Sequence, residues 1–143
     1  MSHRDKQKIT GGCQCGAVRY EAAGAPSIAV HCHCDDCRKS SGADHSTIAM
    51  FSADAVDITG NLNAYTCQAD SRATVTRQFC PICGSTLFAQ TTSVPGSISI
   101  MAGTIDAPAE LSPQFAVYAK RRSSWDFMNP ALPAFDLLPP HIA

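Results

Sequence analysis

Hydrophobic and polar positions alternate along several short stretches of this 143-residue chain. Alternation with a period of two places apolar side chains on one face of an extended strand and polar side chains on the other. Glycine and proline lie between these stretches, where turns are expected. The pattern predicts strands over 17–21, 46–51, 73–79 and 97–102.

One segment breaks this alternation. Residues 34–41 carry a mixed polar sequence that predicts a short helical turn, and Gly42 is a suitable residue to end it. The proline-rich segment 130–140 predicts an extended stretch of chain on the surface, and no part of the sequence repeats. Together these patterns predict a single domain that is mainly β.

Composition and charge exclude several classes of protein. Apolar residues make up 45% of the chain, which is enough to fill the core of one domain. The net charge of −1 lacks the basic excess of a nucleic-acid-binding domain, so we expect no nucleic-acid partner. The polar N-terminus lacks a signal segment, and no apolar run approaches the roughly 20 residues of a membrane span. We therefore expect a cytoplasmic protein without a membrane partner.

The cysteines provide the strongest chemical signal. Seven of the eight fall into three clusters, a C-x-C pair, a C-x-C-x-x-C triplet and a C-x-x-C pair, and only Cys67 stands alone. Disulfides are the competing interpretation, but this cysteine density is lower than in small disulfide-bonded domains. In a reducing cytoplasm such closely spaced cysteines indicate metal binding. We therefore predict zinc as the cofactor, with two ions per chain.

The two pairs predict one closed site of four thiolates, which is the usual form of a structural zinc site. Glycines flank the first pair, and Pro81 and Gly84 shape a turn at the second. The pairs are too far apart in sequence to form a self-contained finger, so the metal would connect distant strands. The predicted ligands are Cys13, Cys15, Cys80 and Cys83.

The triplet Cys32, Cys34 and Cys37 predicts a second zinc site in which the fourth position is undecided. An open position is typical of catalytic zinc, whereas a fourth protein ligand would make the site structural. Three thiolates leave a zinc ion with a net charge of −1, which favours activation of a substrate thiol over activation of water. The residues that could close the site are Cys67, His31, His33 and His45.

Five motifs give the chain a resemblance to a known family. It is similar to the glutathione-dependent formaldehyde-activating enzyme family, one branch of which is typified by centromere protein V. The resemblance extends over residues 10–136, which we take as a single domain, with 1–9 and 137–143 as flexible termini. The motifs are G-x-C-x-C-G from Gly11, C-x-C-x-x-C-R-K-x-x-G from Cys32, R-x-F-C-x-x-C-G-S from Arg77, A-G-T-I-D from Ala102, and the distal W-D and L-P-x-F from Trp125 and Leu132.

The resemblance implies a β-tent fold of packed antiparallel sheets, connected by the four-cysteine zinc. It implies that the triplet holds a catalytic zinc and that the reaction joins glutathione to formaldehyde, the activity of a carbon–sulfur lyase. Glutathione would then be a substrate or co-substrate, and the partners would be a small-molecule thiol and an aldehyde. The matching ligands are Cys13, Cys15, Cys80 and Cys83 in the structural site and Cys32, Cys34 and Cys37 in the catalytic site.

A glutathione site needs groups that bind carboxylates. Arg38 and Lys39 directly follow the triplet and are the first candidates, ahead of Arg72 and Arg77. For each of these residues a solvated surface charge is the alternative interpretation. His45 is a candidate donor of a proton to the alkoxide that forms from the aldehyde.

The remaining conspicuous residues have structural explanations. Cys67 predicts a buried free thiol, with closure of the second zinc site as its alternative role. Asp35 and Asp36 suit a turn, and Trp125 predicts packing of the C-terminal segment onto the core. Two functions follow from the sequence: a zinc-dependent lyase that acts on a thiol and an aldehyde, and a non-catalytic two-zinc module that binds another macromolecule. The sequence assigns no oligomeric state.

Overall fold

The computed structural model describes residues 7–139. The predicted flexible termini, 1–9 and 137–143, therefore lie largely outside the described residues. Lys8 and Ile9 belong to the first strand.

Ten strands and one helix of seven residues make up the described chain. Short 3-10 turns follow several of the strands, among them Ala102–Thr104 and Ala119–Arg121. The elements are β1 (Lys8–Gly12), β2 (Arg19–Ala23), β3 (Ile28–Cys32), α1 (Asp35–Ser41), β4 (Ser46–Ser52), β5 (Val56–Thr59), β6 (Asn63–Gln68), β7 (Thr74–Phe79), β8 (Thr86–Thr91), β9 (Ser97–Met101) and β10 (Phe115–Val117).

The strands form two sheets. The smaller sheet has the order β1-β2-β5, and the larger has the order β10-β3-β4-β9-β8-β7-β6. All pairs are antiparallel except β10 with β3, which is parallel. The predicted mainly β fold with packed antiparallel sheets is confirmed, with this one parallel pair as an addition.

The hydrophobic core lies between the two sheets. On β2 the alternation places Tyr20 and Ala22 inside, with Arg19 and Glu21 exposed. The Tyr20 ring meets the edge of Phe88 on β8 at a centroid distance of 5.2 Å. The Tyr20 and Thr104 hydroxyls are 2.8 Å apart, so the buried phenol keeps a hydrogen-bond partner.

The larger sheet uses its two faces differently. On β4, Ala49 and Phe51 belong to the core, whereas Ile48 and Met50 point to the opposite face and line a cavity of about 230 Å³. The neighbouring strand β9 divides its side chains in the same way. Strand alternation thus builds the core and the cavity wall from alternate residues of the same strands.

Ion pairs connect elements around this cavity. Arg121, after β10, lies 3.0 Å from Asp70 in the β6–β7 turn and 3.6 Å from Asp35 at the start of α1. Both carboxylates line the cavity. The two outer regions of the larger sheet are therefore held together across the cavity by one guanidinium.

The four predicted strands are confirmed as β2, β4, β7 and β9, each within two residues of the predicted bounds. The predicted helical turn is α1, which is capped at its start by Cys34 and ends at Gly42 with φ of 72°. Within residues 7–139, no helix is long and apolar enough to cross a membrane.

Candidate metal centres and substrate cavity

The two cysteine pairs converge at one place. Cys13 and Cys15 follow β1, Cys80 and Cys83 lie between β7 and β8, and their four sulfur atoms all lie within 4.8 Å of one another. The Sγ atoms of Cys13 and Cys15 are 3.6 Å apart, and those of Cys15 and Cys80 are 3.8 Å apart. Thiolates arranged tetrahedrally about 2.3 Å from a zinc ion lie about 3.8 Å from one another. The spacing therefore fits a zinc ion.

Local turns direct these sulfurs inward. Gly84 has φ of 79°, and its N–H donates to the carbonyl of Cys80 at 2.9 Å, which closes the turn of the C-x-x-C pair. The N–H of Ile82 points at the Cys80 sulfur at 3.4 Å, and that of Val18 at the Cys13 sulfur at 3.2 Å. Backbone N–H groups stabilise thiolates, so these turns suit a metal site.

Cys32, Cys34 and Cys37 come together at the junction of β3 and α1. Their sulfurs also lie within 4.8 Å of one another. Cys34 is the N-cap of α1, and its sulfur accepts the N–H of Cys37 at 3.3 Å. The C-x-C-x-x-C spacing thus follows from local geometry, because a strand end, a cap and a first helical turn direct three thiols to one point.

The thiols of this triplet share protons unequally. Hydrogen bonds from the Cys32 and Cys37 thiols lower the pKa of Cys34, and the cation of Arg77 acts in the same direction. Hydrogen bonding to its two neighbours, together with burial, raises the pKa of Cys32. A cation bound among the three sulfurs would stabilise all three cysteines as thiolates at once.

None of the candidate closing ligands joins the triplet. Within residues 7–139, no fourth His, Cys, Asp or Glu ligand atom lies within 4.8 Å of all three sulfurs. His31 instead bonds Thr47 through Nδ1 at 2.8 Å, and His45 bonds Asp126. Cys67 lies half-buried on β6, and its sulfur is 4.0 Å from Nη1 of Arg77.

The triplet lines the 230 Å³ cavity, which lies on the face of the larger sheet opposite the core. Most of this wall is apolar and comes from alternate positions of β3, β4, β7 and β9. Among the described residues that line it, Arg77 is the one cation. Its Nη2 atom lies 4.0 Å from the Sγ of Cys37, so the positive charge faces the cysteines.

The structure does not bring Arg38 and Lys39 to this cavity. Arg38 pairs with Asp35 at 3.4 Å on the surface of α1, and Lys39 is exposed. Arg72 is exposed in the β6–β7 turn, where it has φ of 71°. Arg77, ranked behind Arg38 and Lys39 on sequence proximity, is the arginine at the cysteines, because strand pairing rather than sequence distance decides which side chains meet.

Tyr118 is a cavity residue that the sequence did not single out. It follows β10 with φ of 53°, a left-handed conformation that non-glycine residues seldom adopt and that tends to occur at functional sites. Burial raises the pKa of its phenol, and the negative charges of Cys32 and Cys34 raise it further. The phenol therefore keeps its proton at neutral pH and can donate it.

His45 and Trp125 are placed differently from what the sequence predicted. His45 does not line the cavity of the triplet, and its Nδ1 atom bonds Asp126 at 2.7 Å. Trp125 is 67% exposed, so its predicted packing onto the core is wrong. The neighbouring Asp126 anchors this segment through His45, and the adjacent indole faces outward.

Comparison with known proteins adds two findings. A family model described as glutathione-dependent formaldehyde-activating enzyme matches residues 8–121. A crystal structure of a Rhodobacter sphaeroides protein, a structural genomics target, is similar at 26% identity and a TM-score of 0.55, covering 73% of this chain and 91% of that chain. No curated protein matches the sequence significantly.

Proposed function

The chain belongs to the glutathione-dependent formaldehyde-activating enzyme family, and from this we propose that it is a zinc-dependent carbon–sulfur lyase. It would condense a thiol, glutathione in the first instance, with a small aldehyde such as formaldehyde. The observation that carries the proposal is the cysteine triplet in the cavity wall, where the described residues provide no fourth ligand. An open position beside a cavity is what a substrate thiol needs.

Cys32, Cys34 and Cys37 are the proposed ligands of the catalytic zinc. A zinc ion bound there would supply the positive charge that favours loss of a proton from the substrate thiol. The N–H of Cys37 stabilises negative charge on the sulfur of Cys34, and the cation of Arg77 does so on the sulfur of Cys37. Both groups are in place before substrate arrives.

Cys13, Cys15, Cys80 and Cys83 are the proposed ligands of a structural zinc. Their spacing fits four tetrahedral thiolates, and Cys80 is fully buried. The pairs lie on the end of β1 and in the β7–β8 turn, so the ion would join the two sheets of the proposed β-tent. All eight cysteines are free thiols, which suits the reducing cytoplasm that we propose as the location.

The cavity is small for a tripeptide. Sites that enclose a drug-sized ligand usually measure about 300–1,000 Å³, whereas this cavity measures about 230 Å³. We infer that the cavity holds the reacting sulfur and the aldehyde, while the rest of glutathione extends through the mouth. Its apolar walls from Ile48, Met50 and Val75 would exclude water from the reacting atoms.

Arg77 and Tyr118 are the proposed substrate-contacting side chains. Arg77 makes no ion pair with a carboxylate within 4.0 Å among the described residues, so its charge is available to a carboxylate or a thiolate of the substrate. When the sulfur adds to the aldehyde carbon, the carbonyl electron pair moves to oxygen. The phenol of Tyr118 would give that oxygen a proton, and the proton lost by the thiol restores the balance.

The proposal is tested by the rate of hemithioacetal formation. Glutathione and ¹³C-formaldehyde react without a catalyst, so exchange between free and bound formaldehyde is measured by NMR with and without the zinc-loaded protein. We expect faster exchange with the wild type and the uncatalysed rate with Cys37→Ala. Equal rates for wild type and buffer would contradict the proposal and favour the non-catalytic two-zinc module.

A further inference from the structure

Two histidines and one aspartate form a third cluster, apart from the cysteines. His33 lies between Cys32 and Cys34, His45 directly precedes β4, and Asp126 lies in the C-terminal segment. One ligand atom from each lies within 4.8 Å of the others. The Oδ2 atom of Asp126 is 2.7 Å from Nδ1 of His45 and 3.4 Å from Nδ1 of His33.

His33 is the unusual member of this cluster. Its side chain is fully buried, and neither ring nitrogen has a hydrogen-bond partner. Buried imidazoles are normally satisfied by a hydrogen bond, a water molecule or a metal, because an unpaired polar atom inside a protein is costly. Its Nδ1 points towards carboxylate oxygen at both 3.4 Å and 3.7 Å.

The surroundings of His33 are also rich in negative charge. Asp44 is 2% exposed and lies 3.7 Å from Nδ1 of His33, while the side chain of Asp126 is 13% exposed. The backbone N–H and the hydroxyl of Ser123 each donate a hydrogen bond to the Asp44 carboxylate at 2.7 Å. A buried carboxylate and a half-buried carboxylate beside a buried imidazole favour a compensating cation.

We propose that His33, His45 and Asp126 form a third metal site, which binds a divalent transition ion such as Zn²⁺. Two imidazole nitrogens and one carboxylate oxygen are a common ligand set for zinc and its neighbours in the first transition row. The site is independent of the proposed reaction, because it shares no ligand with either cysteine cluster.

The ligand spacing supports this assignment. Nitrogen and oxygen ligands about 2.0–2.1 Å from a tetrahedral ion lie about 3.3–3.4 Å from one another. The pair His33 and Asp126 already has this separation. The pair His45 and Asp126 is shorter because it shares a hydrogen bond, so the ion would replace that proton and move the two atoms apart by about 0.7 Å.

The site has a route for the ion to enter. The side chain of His45 is 24% exposed and lines a second cavity of about 410 Å³. His33 closes the buried end, and Asp126 joins the C-terminal segment to both histidines. A bound ion would therefore fasten residues 123–126 to the strand end that carries the cysteine triplet.

A hydrogen bond between His45 and Asp126 alone is the competing interpretation. It explains those two residues and leaves both ring nitrogens of His33 without a hydrogen-bond partner. The two interpretations predict different numbers of bound metal ions, because only the metal site adds one ion to each chain.

The test compares bound zinc per chain in the wild type and in His45→Ala, Asp126→Asn and His31→Gln. Each protein is equilibrated with excess Zn²⁺, desalted, and measured by elemental analysis and native mass spectrometry. His31 is the matched control, because its ring contacts that of His45 at 5.1 Å yet it bonds Thr47 rather than Asp126. We expect His45→Ala and Asp126→Asn to hold one ion fewer than wild type, and His31→Gln to hold the same number.

A second measurement distinguishes the loss of a zinc site from a folding defect in the variants. Added Zn²⁺ beyond the cysteine sites should raise the melting temperature of wild type and His31→Gln, because a ligand that binds only the folded state stabilises it. The partly exposed position of His45 makes His45→Ala the decisive variant if Asp126→Asn fails to fold. An unchanged zinc count in His45→Ala, or a wild type that holds ions only at cysteines, would overturn the proposal.

Discussion

Arg77 on β7 and Cys37 on α1 are 40 positions apart in the sequence, and they meet at 4.0 Å between Nη2 and Sγ. The same guanidinium lies 4.0 Å from the sulfur of Cys67, so it stands between that cysteine and the triplet. The guanidinium thereby separates Cys67 from the triplet, and it places a cation beside the triplet. This arrangement is the basis for the predictions on substrate binding.

Replacing Arg77 by methionine should lower kcat/KM for glutathione more than for a thiol without carboxylates. One charge-assisted contact is worth roughly 1.5–3 kcal/mol, so kcat/KM for glutathione should fall about 10- to 100-fold. Arg38→Met is the matched control and should leave kcat/KM unchanged, because Arg38 does not line the cavity. The loss should be smaller for a thiol without carboxylates. Equal losses for both thiols would contradict a role in carboxylate binding.

Loss of the proposed four-cysteine zinc should unfold the protein. Binding of a structural zinc contributes about 10–16 kcal/mol, whereas a whole domain is stable by about 5–15 kcal/mol. Cys80→Ser removes a fully buried ligand and should abolish the cooperative thermal transition seen by circular dichroism. Cys67→Ser, which lies outside both clusters, should retain it. A native-like transition in zinc-free Cys80→Ser protein would show that the metal is dispensable.

The two faces of β4 should respond differently to truncation. Phe51→Ala removes a core side chain that is 2% exposed and should cost about 3–5 kcal/mol in free energy of unfolding. Met50→Ala removes a side chain from the cavity wall and should cost clearly less, while it changes KM for the substrate. Denaturant titration and steady-state kinetics measure the two effects. A larger stability loss in Met50→Ala would contradict the assignment of the faces.

Asp106 should make stability depend on pH. Arg19 donates two hydrogen bonds to this carboxyl and Thr10 donates another, which lowers its pKa below 3.8. Because the unfolded chain binds the proton more tightly, this stabilisation is complete above the unfolded pKa of 3.8. It is lost as the pH falls through the lower pKa of the folded state.

The comparison of wild type with Asp106→Asn isolates this effect. Below about pH 4 the difference in unfolding free energy between the two proteins should shrink as the pH falls. Arg19→Gln should flatten the same pH dependence, because it removes the partner that shifts the pKa. A difference that stays constant from pH 6 to pH 3 would contradict the prediction.

The cysteine spacing and the strand alternation were readable from sequence because both are local. Ligands two or three residues apart are directed to one point by a single turn, and alternating strands such as β2 and β4 carry their own signal. Strand β3 was missed because its sequence IAVHC is nearly continuously apolar and continues into the cysteine triplet. The parallel pairing of β10 with β3 depends on the whole sheet and leaves no local pattern.

Contacts between residues that are distant in sequence account for the remaining differences between the sequence predictions and the structure. His33 and Asp126 meet across most of the chain, and Arg77 reaches Cys37 only because the larger sheet brings β7 opposite α1. Sequence proximity favoured Arg38 and Lys39, which α1 turns to the surface. Nothing in the local sequence distinguishes a half-buried anchor such as Asp126 from an ordinary turn residue beside an exposed tryptophan.

The most direct test of the account is native mass spectrometry of the zinc-loaded protein with glutathione. An open triplet predicts one glutathione per chain in the wild type and in Cys67→Ala, and none in Cys37→Ala. Bound glutathione would show that the cysteine cluster accepts a substrate thiol. A wild type that holds its zinc ions and binds no glutathione, with one zinc lost in Cys67→Ala, would contradict the account, because Cys67 would then be the fourth ligand of a closed site.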